Sequence, residues 1–282
     1  MAELEFKIDG PALREGVPIH LVVGALENFQ AVLDKTYLVA TGGKKITARD
    51  REKYFLRASE FRTGSLVTVF EVALQGVQLG LPLVSQLGPQ NLWDYTRETF
   101  GFLKLVCGAV QRGEKPEYEF NNDGDAIVHV GDVHQHFHGP VIQIGKRALP
   151  NYQNLAHLID PKKLSDISAG SVRSERPDIY IGRDDRGMFD VPTRIEKETI
   201  ELACEIFDFN KYKNAGKLSV TTDGQPVAPG EYNFTIFGNQ DNVNYIYSML
   251  KPEVKLYCLV EMEACPFGDD KVHKLHVTGV AA

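Results

Sequence analysis

The first forty residues change from one hydrophobic period to another, and this change constrains the fold more than any other feature. Residues 3–9 (ELEFKID) alternate polar and apolar side chains, which predicts a strand with one buried face. From Pro18 to Leu38 the apolar residues recur at spacings of three and four, which predicts an amphipathic helix. A strand followed by a helix with an apolar stripe indicates that helices pack on a sheet.

The next segments extend both layers. Residues 54–61 and 66–74 are rich in β-branched and aromatic side chains, and the linker between them carries Gly64, so they predict a hairpin. Residues 75–87 are interpreted as a short buried helix. Asn91 is a suitable N-cap for a second long helix that ends near Gln111. Residues 1–113 are therefore predicted to form an α+β domain, a sheet with two long helices.

The last part of the chain predicts a small barrel. Five strands are expected at residues 198–209, 217–222, 231–237, 254–263 and 271–280. A helix at residues 241–250 falls between the third and the fourth strand. Five strands with a helix in that place are typical of an OB-like Greek-key barrel, which we assign to residues 198–282.

Between these domains the sequence predicts two smaller segments. Residues 114–150 are interpreted as a β-ribbon insert with strands at 126–130, 133–138 and 141–144, and residues 151–197 as a helical and loop linker. A ribbon of two or three short strands is only marginally stable by itself. We therefore expect other copies of the chain to cover the insert.

The insert contains the most unusual stretch of the sequence, residues 132–140 (DVHQHFHGP). On an extended strand Asp132, His134, His136 and His138 point to the same side. Imidazole and carboxylate are ligands of divalent transition metals. Two copies of His134 and His136 would supply a tetrahedral set suited to Zn²⁺, and three copies an octahedral set suited to Fe or Ni. A metal site shared between subunits is therefore one hypothesis for these residues.

Three other interpretations of the histidines stay open. They belong to an exposed strand that binds only solvent and neighbouring side chains, or they sense pH, because clustered imidazoles become charged in mild acid. They also suit a metal-dependent hydrolase in which Asp132 assists. The sequence contains no nucleophile elbow, no phosphate-binding glycine loop and no His-Glu-x-x-His motif, so a protein that is not an enzyme is favoured.

One basic cluster suggests an alternative function as a single-stranded nucleic-acid-binding protein. The whole chain has a net charge of −7, and residues 200–282 hold 11 acidic and 7 basic side chains, which makes nucleic acid an unfavoured partner. Seven basic residues nevertheless lie close together in the first domain. They are Lys44, Lys45, Arg49, Arg51, Lys53, Arg57 and Arg62.

The cellular compartment is predicted from what the sequence lacks. No apolar run approaches the ~18 residues of a membrane span, and the acidic N-terminus does not resemble a secretory signal. The four cysteines are scattered, which is typical of buried free thiols in a reducing compartment. We expect a cytoplasmic protein.

Residues 25–30 (ALENFQ) and 63–66 (TGSL), together with the order of the predicted domains, resemble a family of uncharacterised two-domain bacterial proteins. Relatives of that kind occur near phage-defence or mobile-element genes. The resemblance implies a role in antiviral defence, with another defence protein as a partner, and it implies no reaction. We therefore expect a non-enzymatic, self-assembling defence component that oligomerises through the His-rich arm.

Overall fold

The computed structural model describes residues 2–13, 16, 18–62, 66–74, 89–121 and 125–281. Helices and sheets occur together, which confirms the α+β class. The chain divides into two compact units, Met1–Asp190 and Val191–Ala282. None of the helices in the described ranges has the length and apolarity that crossing a membrane requires. The predicted helix at residues 75–87 and the turn at residues 63–65 lie outside the described residues.

The described residues of the first unit form eight strands in two sheets. They are β1 (Ala2–Asp9), β2 (Tyr54–Arg62), β3 (Leu66–Leu74), β4 (Glu117–Phe120), β5 (Ala126–Val130), β6 (Val133–Phe137), β7 (Asp166–Ser171) and β8 (Ile179–Ile181). One sheet has the order β2-β3-β1-β7-β8 and the other the order β4-β5-β6. All neighbouring strands are antiparallel. The predicted strand at residues 3–9 and the predicted hairpin are confirmed.

The described part of this unit also contains four α-helices: α1 (Ile19–Thr41), α2 (Ala48–Lys53), α3 (Pro89–Gln111) and α4 (Gly139–His157). Helices α1, α3 and α4 pack against one another. The buried side chains of β1 face this layer, where the rings of Phe6 and Phe29 stack with centroids 4.4 Å apart. Burial of one face of β1 and one stripe of α1 explains why the two hydrophobic periods predicted these elements correctly.

The prediction of a turn at residues 139–140 and a strand at 141–144 is wrong. These residues form the first turns of α4, with Pro140 near its start, where a missing N–H costs nothing. The β-branched run suggested a strand, but Val141, Ile144 and Ala148 are fully buried at helical spacing against the other helices. Tertiary burial of this stripe outweighs local strand propensity.

The segment predicted as a linker supplies β7 and β8 of the five-stranded sheet. The loop after β8 is fastened to the helices. Lys104 pairs with Asp185 at 2.8 Å, His157 pairs with Asp190 at 2.8 Å, and Phe189 is fully buried. Two of the three aspartates in this loop therefore hold the loop in place.

The second unit is a closed barrel of five strands: β9 (Thr193–Asn210), β10 (Ala215–Val220), β11 (Gly230–Ile236), β12 (Val254–Glu263) and β13 (Lys271–Val280). Their order around the barrel is β10-β11-β13-β12-β9, and β11 and β13 are parallel. A short helix, α5 (Asn242–Ser248), lies between β11 and β12 along the chain. The predicted strands and the position of the helix are confirmed.

The thiols offer a first test of these cores. Cys107, Cys204 and Cys258 are buried and Cys265 is half-buried. Burial raises the pKa of each of the three buried thiols to about 12, so they stay protonated and unreactive near neutral pH. We expect a thiol reagent to label Cys265 alone in the native protein and all four cysteines after unfolding. Rapid labelling of two or more native thiols would contradict the packing of both units.

Candidate functional site

The three-stranded sheet is covered by a helix of its own chain. Phe137 at the end of β6 is 1% exposed, and its ring meets that of Phe102 on α3 with centroids 5.2 Å apart. Val128 of β5 is fully buried on the same face. The expectation that other copies must cover this ribbon loses its basis, because α3 supplies the apolar cover.

The opposite face of the sheet carries the histidines. His129 of β5 lies directly across from His134 of β6 because only Gly131 and Asp132 form the turn between the strands. Gly131 has a φ of +54°, which suits the first central position of a tight hairpin turn. The Nδ1 atoms of His129 and His134 are 2.6 Å apart. Glu119 of β4 places a carboxylate oxygen 3.4 Å from Nε2 of His129.

A second pair of imidazoles, those of His136 and His138, lies near the start of α4. The rings of His136 and His138 have centroids 5.6 Å apart. Asp125 lies 3.4 Å from Nε2 of His136 and accepts a hydrogen bond from the backbone N–H of Gly139 at 2.8 Å. Glu98 of α3 accepts hydrogen bonds from the backbone N–H of His138 and from its Nδ1, both at 2.9 Å. Two carboxylates thus cap the helix and contact the imidazoles.

Tyr95 lies close to the carboxylates of Glu98 and Asp125. Burial, and after it the charges of Glu98 and Asp125, raise the pKa of the Tyr95 phenol. The phenol therefore stays neutral near physiological pH, and the negative charge of the cluster comes from the carboxylates alone.

The four predicted site residues lie on different elements: a strand, the residue before a helix, and a turn. His134 and His136 are exposed on β6, and His138 is the residue that precedes α4. Asp132 is exposed in the turn, where no contact joins it to these histidines within the described part of the chain. Within that part, no group of three or more His, Cys, Asp or Glu side chains is arranged to hold a metal ion. The described residues of one chain therefore do not form a closed metal site.

The outer edge of β6 is the second notable feature. β6 is the last strand of its sheet, and no other described strand pairs with its outer edge. Val133, His134, Gln135 and His136 are all exposed. This edge therefore presents both unpaired backbone groups and a row of imidazoles.

The basic cluster is less uniform than its sequence suggests. Arg51 forms two hydrogen bonds with the carboxylate of Asp34, one of them at 2.9 Å, and so has a structural role. Arg57 lies over the ring of Phe55 at 5.4 Å. Lys44, Lys45 and Arg49 are exposed, Lys53 is half-buried, and the side chain of Arg62 lies outside the described part.

Four residues that contact these imidazoles were not located at this face from the sequence. They are Glu98, Glu119, Asp125 and His129. The pairing of His129 with His134 follows from a two-residue turn, so this signal was present in the sequence. Glu98 lies on a helix forty residues before His138 in the chain, and only the tertiary fold brings the two together.

No known protein family, curated protein or solved structure matches this chain.

Proposed function

We propose that this is a cytoplasmic, non-enzymatic protein that assembles with copies of itself through β6, in the antiviral-defence context that the resemblance implies. The observation that carries this proposal is the open edge of β6, where four of five residues are exposed. An open edge is a template for a further strand, because its N–H and C=O groups lack partners.

The sequence of β6 (VHQHF) supports the proposal. Edge strands of soluble proteins are generally protected from pairing by lysine, other charged side chains, proline or a bulge. β6 contains none of these residues, and its pairing with β5 shows no shift of register. The strand is therefore left able to pair with an identical strand.

The hairpin turn determines which backbone groups face outward. In a two-residue hairpin the residues that flank the turn are a hydrogen-bonded pair, so Val133 and Gln135 direct their backbone groups toward β5. His134 and His136 then direct theirs toward the open edge. A twofold axis at Gln135, the middle residue, pairs all five residues of β6 with the second copy and joins two three-stranded sheets into one.

We infer that the second unit is an OB-type barrel, because its strand order and the position of α5 agree with that topology. In its sequence acids outnumber bases by 11 to 7 from residue 200 onward. This balance disfavours single-stranded nucleic acid as its ligand. We assign the barrel a supporting role, as a rigid module carried by the assembly.

Light scattering on the purified chain at micromolar concentration tests the proposal. Because one chain has a mass of 31.5 kDa, we expect a particle of at least twice that mass. A particle with the mass of one chain across the micromolar range would overturn the proposal.

A further inference from the structure

The contacts of His129 and His134 fix the positions of their protons. Glu119 lies 3.4 Å from Nε2 of His129, and a carboxylate there favours the tautomer with a proton on that nitrogen. Nδ1 of His129 then carries a lone pair. It faces Nδ1 of His134 at 2.6 Å, so we assign the shared proton to His134, which donates it to His129. The remaining nitrogen of His134, Nε2, is left with a lone pair.

The carboxylate contacts of His136 and His138 assign the protons of these two rings in the same way. Asp125 lies 3.4 Å from Nε2 of His136, which leaves the lone pair of that ring on Nδ1. Nδ1 of His138 donates to Glu98 at 2.9 Å, which leaves its lone pair on Nε2. In this assignment each of the three rings has one nitrogen next to an acceptor and one nitrogen with a lone pair that can bind a metal.

This arrangement is the one found around metal ligands. A histidine that binds a metal through one nitrogen almost always donates its other N–H to a carboxylate, a carbonyl or water, which fixes the ring and raises its basicity. Here Asp125 lies 3.4 Å from His136, and Glu119 lies 3.4 Å from His129, which in turn contacts His134.

We propose that two copies of the chain together bind one Zn²⁺ ion through His134 and His136 of each copy. The inference rests on the proposed pairing of β6. With the twofold axis at Gln135, His134 lies across from His136 of the second copy, about 5.5 Å away between Cα atoms. The two histidines of one strand are about 6.7 Å apart. Four imidazoles on one face at these separations can reach one tetrahedral ion at Zn–N distances of about 2.0–2.1 Å.

The charge of the sheet favours a cation at this place. Glu117, Glu119, Asp125 and Glu98 lie on or beside the face that carries the imidazoles, and neutral histidines do not compensate them. Joining two such sheets at the edge of β6 brings the carboxylates of both copies onto one face of the larger sheet, where their negative charges repel one another. A divalent ion between the copies offsets this repulsion, so zinc is expected to strengthen the assembly as well as bind to it.

The experiment strips the full-length protein with a chelator and then titrates it with Zn²⁺ while metal content and particle mass are measured. We expect one zinc per two chains and an association at least tenfold tighter with zinc. Replacing both histidines (His134→Gln with His136→Gln) is expected to abolish zinc binding. Glu119→Gln is expected to weaken zinc binding, because Glu119 contacts His129 and His129 contacts the ligand His134. The side chain of Glu119 is 73% exposed, so the fold does not depend on it.

The matched control is His273→Gln, which removes an exposed histidine that also pairs with a carboxylate, Glu263, in the barrel. This variant is expected to bind zinc as the parent does. A metal-free dimer that zinc does not tighten would overturn the zinc site and leave the assembly standing. A single-chain particle with or without zinc would overturn the assembly itself. One zinc per chain would overturn the shared geometry.

Discussion

Replacing Gln135 with lysine is expected to convert the assembled protein to single chains. The proposed twofold axis passes through this residue, so in the proposed dimer the variant places two ammonium groups directly opposite each other on Cα atoms about 4.5 Å apart. Gln135 is exposed and its side chain points away from the imidazoles, so the fold and the histidines are unaffected. We expect association at least tenfold weaker, about 1.4 kcal/mol, measured as mass against concentration by light scattering.

The matched control is Gln143→Lys, which makes the same chemical change at an exposed position of α4. It is expected to leave the particle mass unchanged. Equal weakening by both variants would show that overall charge, and not the edge of β6, controls assembly.

Phe137→Ala is expected to cost about 3–5 kcal/mol in the free energy of unfolding. The side chain is 1% exposed and packs on Phe102, so its loss leaves a cavity between the small sheet and α3. Urea denaturation followed by circular dichroism measures the change. Phe120→Ala is the matched control at the opposite edge of the sheet, where the ring is 63% exposed, and we expect a loss below about 1 kcal/mol. Equal losses would contradict the described burial.

Most of the secondary structure was predictable because burial is one-sided. β1 and α1 each bury one face, and the resulting period is visible in the sequence. The start of α4 was not predictable in the same way. Val141, Ile142 and Ile144 have strand propensity, and only the neighbouring helices, which sequence periodicity does not reveal, make the helix the better packed state.

The candidate site was predictable in part. The alternation of His134 and His136 follows from the period of a strand, and the structure places both on one exposed face. The carboxylates that orient them come from α3, β4 and the start of β5, and contacts between distant segments leave no local pattern. The basis for the proposed assembly has also changed: the ribbon does not need another copy to cover its apolar face, whereas no described strand pairs with the outer edge of β6.

The most direct test of assembly through β6 mixes two variants, Gln135→Lys and Gln135→Glu, and measures particle mass by native mass spectrometry. Each variant alone is expected to remain a single chain, because like charges meet at the axis. The mixture is expected to form a dimer with one chain of each kind, because the axis then joins opposite charges. A mixture that stays monomeric, or a lysine variant that associates as strongly as the parent, would contradict the pairing of β6 about Gln135.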